Sequence, residues 1–136
     1  MIIPNPIIKL DYNPAQDVLV VEWPDVHEYT TSQAAYTLDI IVETVKLYDV
    51  KYLLTDTRNG IIDIPEAKYK ALILSFAKSL ATTRLKKLAR VVTASTLREK
   101  PINEVRREAQ LAVPIKSFDN AEEALAWLVS EKYELS

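Results

Sequence analysis

Apolar and polar positions change period several times along the chain, and each change marks an element. Residues 7–12 (IIKLDY) and 17–23 (DVLVVEW) are β-branched, aliphatic and aromatic runs separated by NPAQ. Pro14 suits a turn, so the pair predicts a β-hairpin whose second strand is apolar enough to be central. Pro24 ends that strand, because proline has no N–H to give a sheet ladder. From Thr30, with Gln33 three places on as in a capping box, the apolar residues Ala34, Leu38, Ile41, Val42, Val45 and Tyr48 recur at three- and four-residue steps. That spacing predicts a helix to about Asp49. KYLLTD (51–56) reads as a short strand between helices.

Asp63 and Glu66 form a second capping pattern with Pro65 in the first turn, and Tyr69, Leu72, Ile73, Phe76 and Leu80 mark the buried face of a helix to about Thr82. LARVVTA (88–94) predicts another strand. Pro101 opens a shorter helix carrying Ile102, Val105 and Ala109, and IKSF (115–118) is the last strand, after Pro114. Asp119 and Glu122 cap a final helix with Ala121, Ala124, Leu125 and Leu128 facing inward. The order β-β-α-β-α-β-α-β-α predicts an α/β fold. Its sheet is five-stranded and mostly parallel, opens with a β-hairpin and carries helices on both faces. No internal repeat or linker interrupts the pattern, so residues 1–136 read as a single domain.

Composition removes several chemistries. With 49% hydrophobic and 26% charged residues the chain is ordinary for a globular protein. It has no cysteine, which excludes disulfides, cysteine-ligated zinc, iron–sulfur clusters and thiol nucleophiles. His27 is its one histidine and Gly60 its one glycine, where roughly ten glycines would be average. Phosphate-cradling loops need several glycines for close backbone approach, so neither a P-loop nor a dinucleotide fingerprint can be written here. The opening MIIPNPIIKLDY has no basic leader and is interrupted by Pro4 and Pro6, and no run reaches the ~18 apolar residues of a membrane helix. A cytoplasmic protein without membrane insertion, cofactor or metal is the expectation.

The C-terminal SFDNAEEALAWL, together with the helix–strand–D-x-R portion before it and the element order, resembles bacterial STAS-type domains, particularly the small SpoIIAA-like proteins. The resemblance covers most of the chain. It implies a sheet of mixed direction with four β-α turns wound as a superhelix, and a regulatory, protein-binding or small-molecule-binding role in place of catalysis. In the anti-sigma antagonists of that family a phosphorylatable serine or threonine follows an aspartate just before a helix. The matching stretch here is Asp56-Thr57-Arg58-Asn59-Gly60, which makes Thr57 the candidate phosphosite, although Arg58 and Asn59 stand where small residues are expected.

Position singles out the same stretch, since open α/β sheets bind ligands beyond the carboxyl ends of their strands. Asp56 orients a ligand or loop while Arg58 meets an anion near a helix N-terminus, or else Asp56 accepts loop hydrogen bonds beside a solvated Arg58. Thr93, Ser95, Thr96 and Arg98 follow the next strand at the same end. They either line a polar, cationic crevice with Arg58 or satisfy turn backbone. Residues 84–108 hold Arg84, Lys86, Lys87, Arg90, Arg98, Lys100, Arg106 and Arg107 against Glu99, Glu104 and Glu108, in a chain of net charge −2. Interleaved glutamates and the lack of alternating aromatics read as a solvated face and argue against nucleic acid. Asp25, His27 and Glu28 lack a specific metal-ligand spacing. Trp23 and Trp127 read as packing residues.

The sequence therefore predicts a non-catalytic module that binds a partner protein or a small anionic ligand. Its site residues are Asp56, Thr57, Arg58, Ser95, Thr96 and Arg98. Two alternatives stand beside it. One is a structural protein that homodimerises through an apolar helix face around Tyr69 to Leu80. The other is an enzyme using Asp56 or His27.

Overall fold

The computed structural model describes residues 1–23, 31–58, 65–93 and 113–130. Six strands form one sheet in sequential order: β1 (Ile2–Ile3), β2 (Lys9–Asn13), β3 (Val18–Glu22), β4 (Tyr52–Asp56), β5 (Lys87–Val91) and β6 (Ile115–Phe118). The β1–β2 and β2–β3 pairings are antiparallel, and those joining β3, β4, β5 and β6 are parallel. Helix α1 (Thr31–Tyr48) follows β3, α2 (Glu66–Ala81) follows β4, and α3 (Ala121–Leu128) follows β6. The α/β class, the hairpin and the mostly parallel sheet are as the pattern predicts. The strand count is six and not five, because Ile2–Ile3 pairs with Leu10 and Asp11. Two residues are too few to carry a periodic signal. The helix expected from Pro101, with Ile102, Val105 and Ala109, lies outside the described residues.

Strand alternation sorts the core into two layers. Leu10, Tyr12, Leu19, Val21, Leu53 and Leu88 point to one face, where Ala34, Leu38, Ile41, Val42 and Val45 of α1 and Tyr69, Phe76 and Leu80 of α2 cover them. Val18, Leu54, Ala89 and Val91 point to the other, against Ala124 and Leu128 of α3. Of the Tyr69–Leu80 stripe, Tyr69, Phe76 and Leu80 are buried within their own chain, and Leu72 and Ile73 are half-buried against the same core. Of the residues expected inward on α3, Ala121 is exposed.

Every side chain of β5 is buried, including two cations. Lys87, 5% exposed, lies on the α3 side. Its Nζ donates to the carbonyls of Trp127 and Ser130, both at 3.1 Å, and stands 5.3 Å from the Trp127 ring centroid. A helix C-terminus carries partial negative charge and unsatisfied carbonyls, so the ammonium answers both. At the other end of α3 the cap is Asn120 and not Asp119. Asn120 is extended (φ −144°, ψ 156°) and its side chain accepts the Glu123 N–H at 2.8 Å, while Asp119 accepts from the Asn120 amide. Helix α2 begins at Glu66 behind an extended Pro65 that makes no side-chain cap. Proline there sits at the N-cap and not inside the first turn. Thr30 and Asp63, the other expected caps, are outside the described residues.

Glycine scarcity shows in the backbone. The two non-glycine residues with positive φ among those described are both aspartates, Asp17 (60°) and Asp49 (53°). Short polar side chains tolerate the left-handed region best after glycine. Asp49 terminates α1: its N–H donates to the Lys46 carbonyl and that of Val50 to Val45, the paired bonds of a Schellman ending. Asp17 closes the β2–β3 hairpin, where its carboxylate accepts the Tyr12 hydroxyl at 2.7 Å. That bond, with burial and the nearby Asp17 charge, pushes the Tyr12 phenol from 10.0 up to about 12.

Two outcomes test these local accounts. Asp49→Gly removes the left-handed penalty and its exposed ion pair with Arg84 is weak, so the urea midpoint should rise by an amount equivalent to roughly 0.5–1 kcal/mol. For Tyr12, a phenol raised on folding contributes stability that is complete below its unfolded value and is lost as pH rises through its folded one. Wild-type stability should therefore fall between pH 10.0 and about 12, and Tyr12→Phe should flatten that alkaline limb when unfolding is followed by circular dichroism.

Candidate ligand site at the carboxyl ends of the parallel strands

The parallel register aligns Val21, Thr55, Arg90 and Ser117 as one row across β3, β4, β5 and β6. The row below it toward the strand starts is Leu19, Leu53, Leu88 and Ile115. Thr55, Arg90 and Ser117 thus lie as a polar row, flanked by Val21, on an apolar one, on the face covered by α1 and α2. Beyond the row, backbone ladders continue past the strands: Trp23 donates to Asp56, Thr57 to Val91 and Val92 to Phe118, at 2.9–3.0 Å. These bonds hold the strand ends level, so their side chains form a common rim.

A cavity of about 50 Å³ lies between this part of the sheet and the helices. Thr55, Leu88, Arg90 and Ile115 contribute from the strands, Trp23 and Thr57 from the strand ends, and Leu38, Tyr69, Ile73 and Phe76 from the helices. Arg90 is 6% exposed, and its Nη1 donates to Ser117 Oγ at 3.1 Å. Thr55, its neighbour on β4, is equally buried. A guanidinium taken out of water loses several kcal/mol of hydration and is kept where polar partners meet it. Here it sits with hydroxyl-bearing neighbours on both flanking strands and aromatic side chains above.

Asp56 and Arg58 stand at the end of β4 and hold each other. Arg58 Nε donates to Asp56 Oδ1 at 3.0 Å and Nη2 to Oδ2 at 2.8 Å, a two-pronged pair, and the Arg58 N–H adds a third bond at 3.1 Å. These bonds hold the Asp56 carboxyl below the usual carboxylate range against the opposing effect of burial, and the same contact raises Arg58. Arg58 is therefore already matched by a carboxylate, and of the two readings open to it the loop-fixing one fits the geometry. The Thr57 hydroxyl donates to the Val91 carbonyl at 3.1 Å and lines the cavity, so it ties β4 to β5. Ser95, Thr96 and Arg98 lie outside the described residues, as does His27. Of the six expected site residues, the structure brings Asp56, Thr57 and Arg58 together at one strand end.

Arg90 and Thr55 are the residues that motif reading missed. The basic run 84–108 reads as a solvated face, yet Arg90 and Lys87 are both interior, so that face loses two of its cations. A cation inside the run LARVV of a central parallel strand was the available signal, because such a strand has no solvent side. Trp23, expected as packing alone, is also a wall of the cavity. No group of three or more His, Cys, Asp or Glu residues able to hold a metal ion occurs among the described residues. In the same residues no helix is long and apolar enough to cross a membrane. No protein-family model matches the chain, and no curated protein matches its sequence.

A depressed carboxyl contributes stability that is present above its unfolded value, ordinarily 3.8, and is lost as pH falls through the lower folded one. The wild-type urea midpoint should therefore drop below about pH 4, and Asp56→Asn should lower the midpoint at neutral pH while flattening that acid limb. Because Arg58 is 41% exposed the effect should be modest, and a titration of the midpoint from pH 6 to pH 2.5 measures it.

Proposed function

We propose that this chain is a non-catalytic binding module of STAS-like, SpoIIAA-like type that takes a small anionic ligand at the carboxyl ends of its parallel strands. One observation carries the reading: Arg90 is buried in a cavity at that end of the sheet, between Thr55 and Ser117 and below Tyr69 and Phe76. Ligands of open α/β sheets gather at strand carboxyl ends, and a charged group among apolar walls is the usual way a small pocket fixes the orientation of its occupant. The sequential strand order and the covering of both faces support the family likeness.

Catalysis through Asp56 fits the geometry poorly. A general base works best with a value near the operating pH, whereas Asp56 is held lower by Arg58 and spends its lone pairs on three hydrogen bonds. Phosphorylation of Thr57 would replace the hydroxyl that bonds the Val91 carbonyl and bring a dianion to a half-buried strand end beside Asp56. A ligand-controlled module therefore accounts for the residues better than a phosphorylation-controlled one.

The test is native mass spectrometry of gently purified protein, paired with thermal denaturation against a panel of small anions. A retained small mass, or a melting temperature that rises with the concentration of one anion and saturates, is the expected result. A bare chain mass with no anion moving the melting temperature would overturn the reading and transfer weight to a protein partner.

A further inference from the structure

We infer that the chain forms a two-fold homodimer through the outward faces of α1 and α2, with α1 of each copy seated on α2 of the other and Glu43 paired with Lys78 across the contact. This partner surface is separate from the cavity and does not depend on the anion-binding reading.

Three observations on that face lead to a second copy as its occupant. The first is relative height. The units β3-α1-β4 and β4-α2-β5 are successive crossovers between parallel strands, so the two helices return side by side in the same direction. The ion pair of Asp49 with Arg84, 35 positions apart in sequence, sets their ends level. Glu43 then lies level with Lys78, and Tyr36 with Ala71, since both pairs have that same separation. The second is shape. Tyr36 (57% exposed), Glu43 and Leu47 (78% exposed) fall on one outward line of α1. The outward line of α2 is Ala67, Ala71, Leu74, Lys78 and Ala81, at steps of four and three, with Leu74 half-buried and the rest exposed. Large apolar side chains raise the first line and alanines keep the second low, so each matches the other better than itself. The third is charge. Asp39 and Glu43 are exposed on α1, whereas α2 carries Lys68, Lys70 and Lys78 and residues 67–87 contain no acid. Among the described residues neither Glu43 nor Lys78 enters an ion pair within the chain.

A two-fold axis running along the helices preserves height and exchanges sides. It sets Glu43 against Lys78 of the second copy and Tyr36 over its Ala71, each contact occurring twice. The open groove of about 550 Å³ between the helices, lined by Lys46, Ser75 and Ser79, falls on that axis as a polar, hydrated seam. Helices of 18 and 16 residues, each about 25 Å long and about 10 Å wide, cover about 500 Å² per copy and bury roughly 1,000 Å² in total. That is the low end for a specific dimer, so micromolar association is expected.

Sedimentation velocity and native mass spectrometry of the full chain test the interface. The wild type should pass from monomer to dimer as its concentration rises through the micromolar range. Glu43→Lys sets lysine against Lys78 twice, and Lys78→Glu sets glutamate against Glu43 twice. Each should raise the dissociation constant at least about tenfold. Mixed in equal amounts, the two variants should recover a heterodimer at close to wild-type affinity, because both contacts are then attractive. Ala71→Trp fills the space beneath Tyr36 and should weaken the dimer without changing charge. A wild-type chain still monomeric at about 1 mM would overturn the dimer. A dimer that survives both charge substitutions, or variants that lose it singly and fail to recover it when mixed, would overturn this interface. None of these results bears on the cavity, whose anion test reads ligand mass and melting temperature.

Discussion

A central parallel strand covered on both faces has no outward side, and the organisation of this protein follows from that constraint at β5. Period-two alternation sends Lys87, Ala89 and Val91 toward α3 and Leu88 and Arg90 toward α1 and α2. None of the five can reach water, so each cation must find compensation inside. Lys87 finds it in the last carbonyls of α3 and over the Trp127 ring. Arg90 donates to the Ser117 hydroxyl and lines the cavity. Because Lys87 and Arg90 are three positions apart, alternation attaches each to a different layer. One fixes a helix to the sheet, and the other lines the cavity.

The carboxyl ends of β3, β4 and β5 show a similar division of labour. Asp56 and Arg58 neutralise one another at the rim, while Thr57 bridges to Val91 and carries the ladder one residue past the strands. That pair leaves little net charge on the two residues at the end of β4. The guanidinium that lines the cavity is the buried one, Arg90, which donates to the Ser117 hydroxyl. The exposed arginine closes an ion pair at the strand end, and the interior one lines the cavity.

Much of the fold was legible because its elements are long and regular. The α1 stripe of Ala34, Leu38, Ile41, Val42 and Val45 is buried as its spacing predicts, and the β2–β3 hairpin follows from two β-branched runs around a proline. Less regular features escaped. β1 has two residues and no period, and the cap of α3 slipped by one because Asp119 and Asn120 are both good capping residues and only backbone geometry separates them. The site was half legible. Asp56, Thr57 and Arg58 announce a strand end by their position, but Thr55, Arg90 and Ser117 lie on three different strands, and register alone puts them in a row. No local motif encodes a register across parallel strands, since it is set by the packing of whole layers.

The placement of α3 bears on how the chain is made. Among the described residues it is the helix that shields Leu54, Ala89 and Val91, and it is the last element in sequence. On the ribosome the β-hairpin, α1, β4, α2 and β5 emerge first and can assemble their α1–α2 layer from contacts already present. The opposite side of β4 and β5 then waits for residues 121–128 without this cover. An apolar strand surface bared for that interval is a natural target for holding chaperones and for neighbouring nascent chains. A stop or frameshift upstream of α3 would leave Leu54, Ala89 and Val91 without that helix's cover.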